Sequence, residues 1–223
     1  MMKTIILYGL KRSGNHFFIS NILQQFSNYV HINDVNLSYD NYIKYKNIEK
    51  DKDQIDCNWT GFKDVECVVI SIENKVIDNH EISKFKNIDH CYKFMLLRCP
   101  YSNFSSIWKV SKKNVPLLKS MVVLWIIYAE YFINRKDIIK VLYDKYSTNK
   151  NYKINMLKNI GIDKINIDED INIKHQQSSF EKKEKSRQVY NTLQNCNFKN
   201  DKHFINLVKN EKIKNLWDII KNN

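Results

Sequence analysis

The feature that most narrows what this chain can fold into is "KTIILYG", residues 3–9, running straight into "LKRSGNH", residues 10–16. The first stretch is a short run of β-formers without polar alternation, the pattern of a strand buried on both faces of a parallel sheet. Gly9-Leu10-Lys11-Arg12-Ser13-Gly14 then fits G-x-x-x-x-G, and Phe17, Ile19, Ile22, Leu23 and Phe26 follow at helical spacing. Strand, glycine loop and helix in that order make an anion cradle. Loop N–H groups and the positive end of the helix dipole converge on one negative group.

The same alternation runs on through the chain. Strands are predicted at 29–35, 66–72, 92–98 and 137–143, and helices at 101–113, 115–133 and 149–162, the last closed by Gly161. Residues 36–60 are polar, irregular and rich in Tyr, which suits a surface insertion or a lip of a substrate site. The tail, 180–223, reads as mostly helical after an "SSF" turn. Strands alternating with helices predict an α/β fold with a central parallel sheet flanked by helices. At 223 residues with only two prolines and four glycines, no linker divides the chain, and residues 1–223 are expected to form a single domain.

The net charge of +12 favours anionic partners. Only four of the 36 basic residues are arginines (Arg12, Arg98, Arg135 and Arg187), and the lysines are scattered, so no nucleic acid is expected as a partner. The scarcity of arginine adds weight to Arg12 and Arg98, which stand in motif-like stretches. Five cysteines without a CxxC pair suit a reducing, cytoplasmic setting. The six histidines show no zinc-ligand spacing, so no metal is expected. The apolar stretch 121–133 is 13 residues long and includes Glu130. It is shorter than the ~20 residues a bilayer requires and reads as a buried core helix rather than a transmembrane segment.

An ATPase-type loop continues with Lys and then Ser or Thr, for the outer phosphates and Mg²⁺. Here Asn15 and His16 occupy those places, and "VVISIE" ends in Glu73 rather than a clear magnesium anchor. Metal-dependent phosphoryl transfer is thereby disfavoured. A P-loop kinase of small metabolites and a basic nucleic-acid-binding protein remain the alternative readings.

A second element, "LLRCPYSNFSSIW", places Arg98 at a strand end, Pro100 in the turn and Ser106 eight residues after the arginine. Together, "RSGNH" and "RCPYSNFSS" resemble the 5′-phosphosulfate loop and the 3′-phosphate element of sulfotransferases that use 3′-phosphoadenosine 5′-phosphosulfate (PAPS). The order and strand contexts match as well. A weaker likeness is Tyr143-Asp144 at the end of a late strand, with Ile160-Gly161 closing the next helix. The resemblance spans about residues 3–35 and 90–165. It implies a P-loop NTPase-like fold and sulfuryl transfer from PAPS, leaving 3′,5′-ADP, to a hydroxyl or amine of a small-molecule or saccharide acceptor.

It also implies site residues. Lys11, Arg12, Ser13, Gly14, Asn15 and His16 would hold the 5′-phosphosulfate, with Arg12 on the bridging oxygen and Lys11 as its alternate. Arg98 and Ser106 would hold the 3′-phosphate, a planar grip suited to arginine. His16 either donates to the 5′-phosphate or packs at the helix start. His31 and Asp34 are the candidate bases: histidine has the better pKa, and Asp34 stands closer to where some members place an acid. A late loop with Ser178 and Ser179, or Phe180 and Arg187, would close over the nucleotide.

Overall fold

The computed structural model describes residues 2–33, 55–58, 65–76, 90–163, 165–166 and 192–222. Asp34, Ser178, Ser179, Phe180 and Arg187 lie outside the described residues. Five parallel strands build the sheet: β1 (Lys3–Gly9), β2 (Tyr29–Ile32), β4 (Cys67–Glu73), β5 (Cys91–Leu97) and β6 (Ile139–Leu142). A sixth, β3 (Ile55–Asn58), pairs antiparallel with β2 at one edge. The segment 36–60, expected to be irregular, therefore contributes an edge strand. The sheet order is β3-β2-β4-β1-β5-β6.

The central strand alternates between two cores. Ile5 and Leu7 face α1 (Asn15–Leu23), α4 (Tyr143–Thr148) and α5 (Lys150–Lys158). Ile6 and Tyr8 face the opposite layer. That layer comprises α2 (Pro100–Val110), α3 (Val115–Asn134), α6 (Lys202–Val208) and α7 (Glu211–Asn222). A strand covered on both faces is apolar throughout because neither set of side chains meets water. This explains why β1 shows no polar alternation. The described tail, with a short 3₁₀ turn at Leu193–Asn195 and then α6 and α7, is helical as expected.

Two expectations shift. The late strand starts at Ile139 and stops at Leu142, so Tyr143 and Asp144 open a helix instead of ending a strand. The helix after Arg98 ends at Val110, and Lys112 and Lys113 both take left-handed backbone conformations, φ 53° and 64°. The apolar helix α3 runs 20 residues as a core helix, burying Leu118, Met121, Val122, Trp125, Tyr128 and Ala129 and packing Leu124, Ile126, Tyr131, Phe132 and Ile133 against the same core. By length and apolarity it is the one helix among the described residues able to cross a membrane. Gly161 does close α5 with a left-handed residue, φ 68°, and Ile162 N–H reaches back to the Leu157 carbonyl.

Topology selects the place of the site. From β1 the chain crosses to β2 on one side, whereas β5 and β6 extend the sheet on the other. The crevice at the carboxyl ends of β1 and β5 is therefore a topological switch point, where open α/β sheets bind ligands. The loop after Gly9 and the turn after Leu97 both open there.

Candidate anion-binding site

The loop between β1 and α1 is held by its neighbours on both sides. On the β4 side, Lys11 N–H donates to Asn74 Oδ1 at 2.8 Å, and Asn74 N–H to the Gly9 carbonyl at 3.1 Å. On the β5 side, Asn103 Nδ2 donates to the Lys11 carbonyl at 3.0 Å and to Ser13 Oγ at 3.3 Å. Inside the loop, Ser13 N–H closes on the Leu10 carbonyl at 3.1 Å. Arg12 and Gly14 both have positive φ, 66° and 95°. Such a conformation is held by its surroundings where the residue has a Cβ, as at Arg12.

Gly9 and Gly14 are required for close approach. A Cβ on Gly9 would collide with the Asn15 side chain, and one on Gly14 with the ring of Tyr143. α1 has no side-chain cap and no acidic residue in its first turn, so its N-terminal N–H groups face the loop mouth uncapped.

The two sequence elements meet directly. Arg12 Nε donates to Ser106 Oγ at 3.1 Å, and Arg98 Nη1 donates to the Arg12 carbonyl at 3.0 Å. Arg98 also lies over the Tyr143 ring, 4.9 Å from its centroid. Its Nε is buried and makes no hydrogen bond among the described residues. A buried guanidinium N–H left without an acceptor is costly unless a ligand supplies one.

Two residues outside the predicted site set hold the turn that carries this arginine. Asp144 Oδ2 accepts from Cys99 N–H at 2.8 Å, pinning the turn that follows Arg98. Burial raises the Asp144 pKa, and the Arg98 charge and the Cys99 N–H oppose it. Trp125 Nε1 donates to the Arg98 carbonyl at 3.0 Å from within the core. The Tyr-acid pair marked Asp144, but a tryptophan inside an apolar helix carries no sign of such a role.

The loop side chains divide in orientation. Lys11 and His16 are exposed and Arg12 is half-buried. Ser13 is fully buried, and Asn15 is turned inward, its Nδ2 on the Leu10 carbonyl at 3.2 Å and on Glu73 Oε1 at 2.7 Å. Ser13 and Asn15 thus shape the loop with their side chains, leaving backbone N–H groups and the cations for an anion. Glu73, weighed above as a metal anchor, holds Asn15.

His31 lies at the carboxyl end of β2, 5% exposed. Its Nε2 is 3.2 Å from Ser71 Oγ, and Ser71 Oγ donates to Asn33 Oδ1 at 2.9 Å. Because the serine proton is committed to Asn33, Nε2–H is the donor to Ser71 and Nδ1 keeps the lone pair. Burial, and secondarily the His16 ring 6.4 Å away, lower the His31 pKa to about 4. It is neutral at neutral pH.

No family model matches the sequence, and no curated protein matches it. Among solved structures the fold is similar to mouse sulfotransferase SULT7A1 complexed with PAP. The two share 12% sequence identity with a TM-score of 0.50, over 95% of this chain and 78% of the mouse chain. A likeness at that identity concerns the fold.

Proposed function

We propose that this chain is a PAPS-dependent sulfotransferase that passes a sulfuryl group to a hydroxyl or amine, with a saccharide or small metabolite as acceptor. One observation carries the reading: an uncapped helix-start loop and an arginine-serine element about 90 residues later converge, through Arg12 Nε on Ser106 Oγ and Arg98 Nη1 on the Arg12 carbonyl. The fold likeness to a sulfotransferase complexed with PAP supports it.

The residues suit such a donor. Its two phosphate positions need two groups of donors. The loop N–H groups with Arg12 and Lys11 form one, and Arg98, with an unsatisfied Nε, and Ser106 form the other. Bound there, PAPS supplies an activated sulfuryl group on its 5′-phosphate. Arg12, with Lys11 as alternate, neutralises charge on the leaving phosphate oxygen. Fixed cations in a crevice need no reorganisation at the moment of reaction. Arg98 and Ser106 orient the nucleotide by its 3′-phosphate.

His31 is the candidate base through Nδ1, with Ser71 and Asn33 holding its tautomer; Asp34 is the alternative. A neutral histidine of low pKa is a weak base, so its contribution lies in being unprotonated and fixed in orientation. His16, exposed at the helix start, would donate to the 5′-phosphate in this reading.

Thermal unfolding with 3′,5′-ADP, ATP·Mg²⁺ and an oligonucleotide tests the proposal. 3′,5′-ADP at a hundredfold its Kd should add about 2.7 kcal/mol of stability, a rise in Tm of several degrees. Stabilisation by ATP·Mg²⁺ and not by 3′,5′-ADP would overturn it in favour of a kinase. Incubation with labelled PAPS and a panel of hydroxylated acceptors then identifies the substrate.

A further inference from the structure

Helix α3 buries six of its 20 residues and packs six more against the core, while Leu117 and Val123 stay exposed on it. Val123, 57% exposed, lies on the side opposite Leu118, Met121, Val122 and Trp125. Leu117 (43%), in the first turn of α3, and Val110 (52%), at the end of α2, are exposed as well. These three are half of the six exposed large hydrophobic residues among those described, and they fall within 14 positions.

The same stretch is basic. Lys109, Lys112, Lys113 and Lys119 are exposed, and no Asp or Glu occurs from 109 to 129. Lys112 and Lys113 sit in consecutive left-handed conformations at the turn between α2 and α3. Among the described residues, Asp201, ahead of α6, pairs with Lys113 at 3.0 Å, and Glu130, on α3 itself, pairs with Lys212 of α7 at 2.7 Å.

A second copy packed symmetrically on this face would set lysine against lysine, which disfavours it. An anionic lipid surface satisfies both halves at once. Exposed valine and leucine enter the headgroup boundary while the lysines meet lipid phosphates and carboxylates. We infer that the α2–α3 turn and the outer side of α3 form a peripheral docking surface for anionic membranes. The inference is independent of the sulfotransferase reading, since it uses no residue of the anion site.

Vesicle co-sedimentation of the full chain tests it. The protein should sediment with phosphatidylcholine–phosphatidylserine vesicles, not with phosphatidylcholine alone, and less as salt rises. Lys112→Glu with Lys119→Glu should lower partitioning about tenfold or more. Leu117→Asp with Val123→Asp, both at exposed positions, should remove the binding that survives high salt. Circular dichroism identical to the parent's in each variant ties the loss to the surface. Equal sedimentation with both vesicle types, or variants that bind like the parent, would overturn the inference. So would a dimer in solution that Val123→Asp dissociates, because a second copy would then cover this face.

Discussion

Arg12 and Ser106, 94 positions apart, share a hydrogen bond from Nε to Oγ at 3.1 Å across the crevice between β1 and β5. Ser106→Ala leaves Arg12 half-exposed and able to find water, so stability should change by less than about 1 kcal/mol. In the proposed function the same change removes a phosphate donor. Calorimetric titration with 3′,5′-ADP should show affinity down about tenfold, the loss of one charge-assisted hydrogen bond. Unchanged affinity would remove Ser106 from the nucleotide site.

Arg98 is predicted to matter more. Arg98→Ala deletes the contact to the Arg12 carbonyl and the cation over Tyr143, and should abolish the thermal shift by 3′,5′-ADP. Arg98→Lys keeps a point charge without the planar fork and should recover little of it. Full retention of the shift in Arg98→Ala would mean that the second phosphate position lies elsewhere.

Gly14 has φ 95° and no space for a Cβ beside the Tyr143 ring. Gly14→Ala should cost about 1–3 kcal/mol for the backbone alone, with ring displacement in addition. Urea unfolding measures it. An unchanged midpoint would show that Tyr143 gives way freely.

Asp144 is a buried acceptor for Cys99 N–H. Asp144→Ala should cost about 1–3 kcal/mol because the amide is left unpaired. Asp144→Asn keeps an oxygen and, since burial disfavours the charged carboxylate, should cost less. Equal costs for the two variants in denaturant unfolding would argue that the charge facing Arg98 matters more than the hydrogen bond.

His31 sets a pH dependence. Its pKa is lowered from 6.5 to about 4 in the fold, so between those values the unfolded chain binds more protons. Stability should therefore be full above about pH 6.5, fall as pH drops toward 4, and flatten below. The total loss is of order 3 kcal/mol. His31→Asn should flatten the profile in that window, as read from unfolding midpoints at stepped pH.

The parallel α/β layering was legible because burial on both faces writes itself as apolar runs such as "TIILY" and "KFMLL". The loop was legible because G-x-x-x-x-G between strand and helix is a local pattern. Less legible were elements whose ends depend on distant partners. Tyr143 has the composition of a strand residue, yet it starts a helix because its ring must cover Gly14 and underlie Arg98. Strand β3 is four residues at the sheet edge within a polar stretch, too short for periodicity to announce it.

By itself the sequence singled out the candidate residues for the proposed chemistry: a scarce arginine in a glycine loop, another at a strand end, and a serine eight residues on. Tertiary structure alone decided how they are used. Hydrogen bonds are directional and short-ranged, so a chain position does not say which way a side chain faces. Packing turned Ser13 and Asn15 inward as loop supports, aimed Arg12 at Ser106, and recruited Trp125 and Asp144 to hold the turn that carries Arg98.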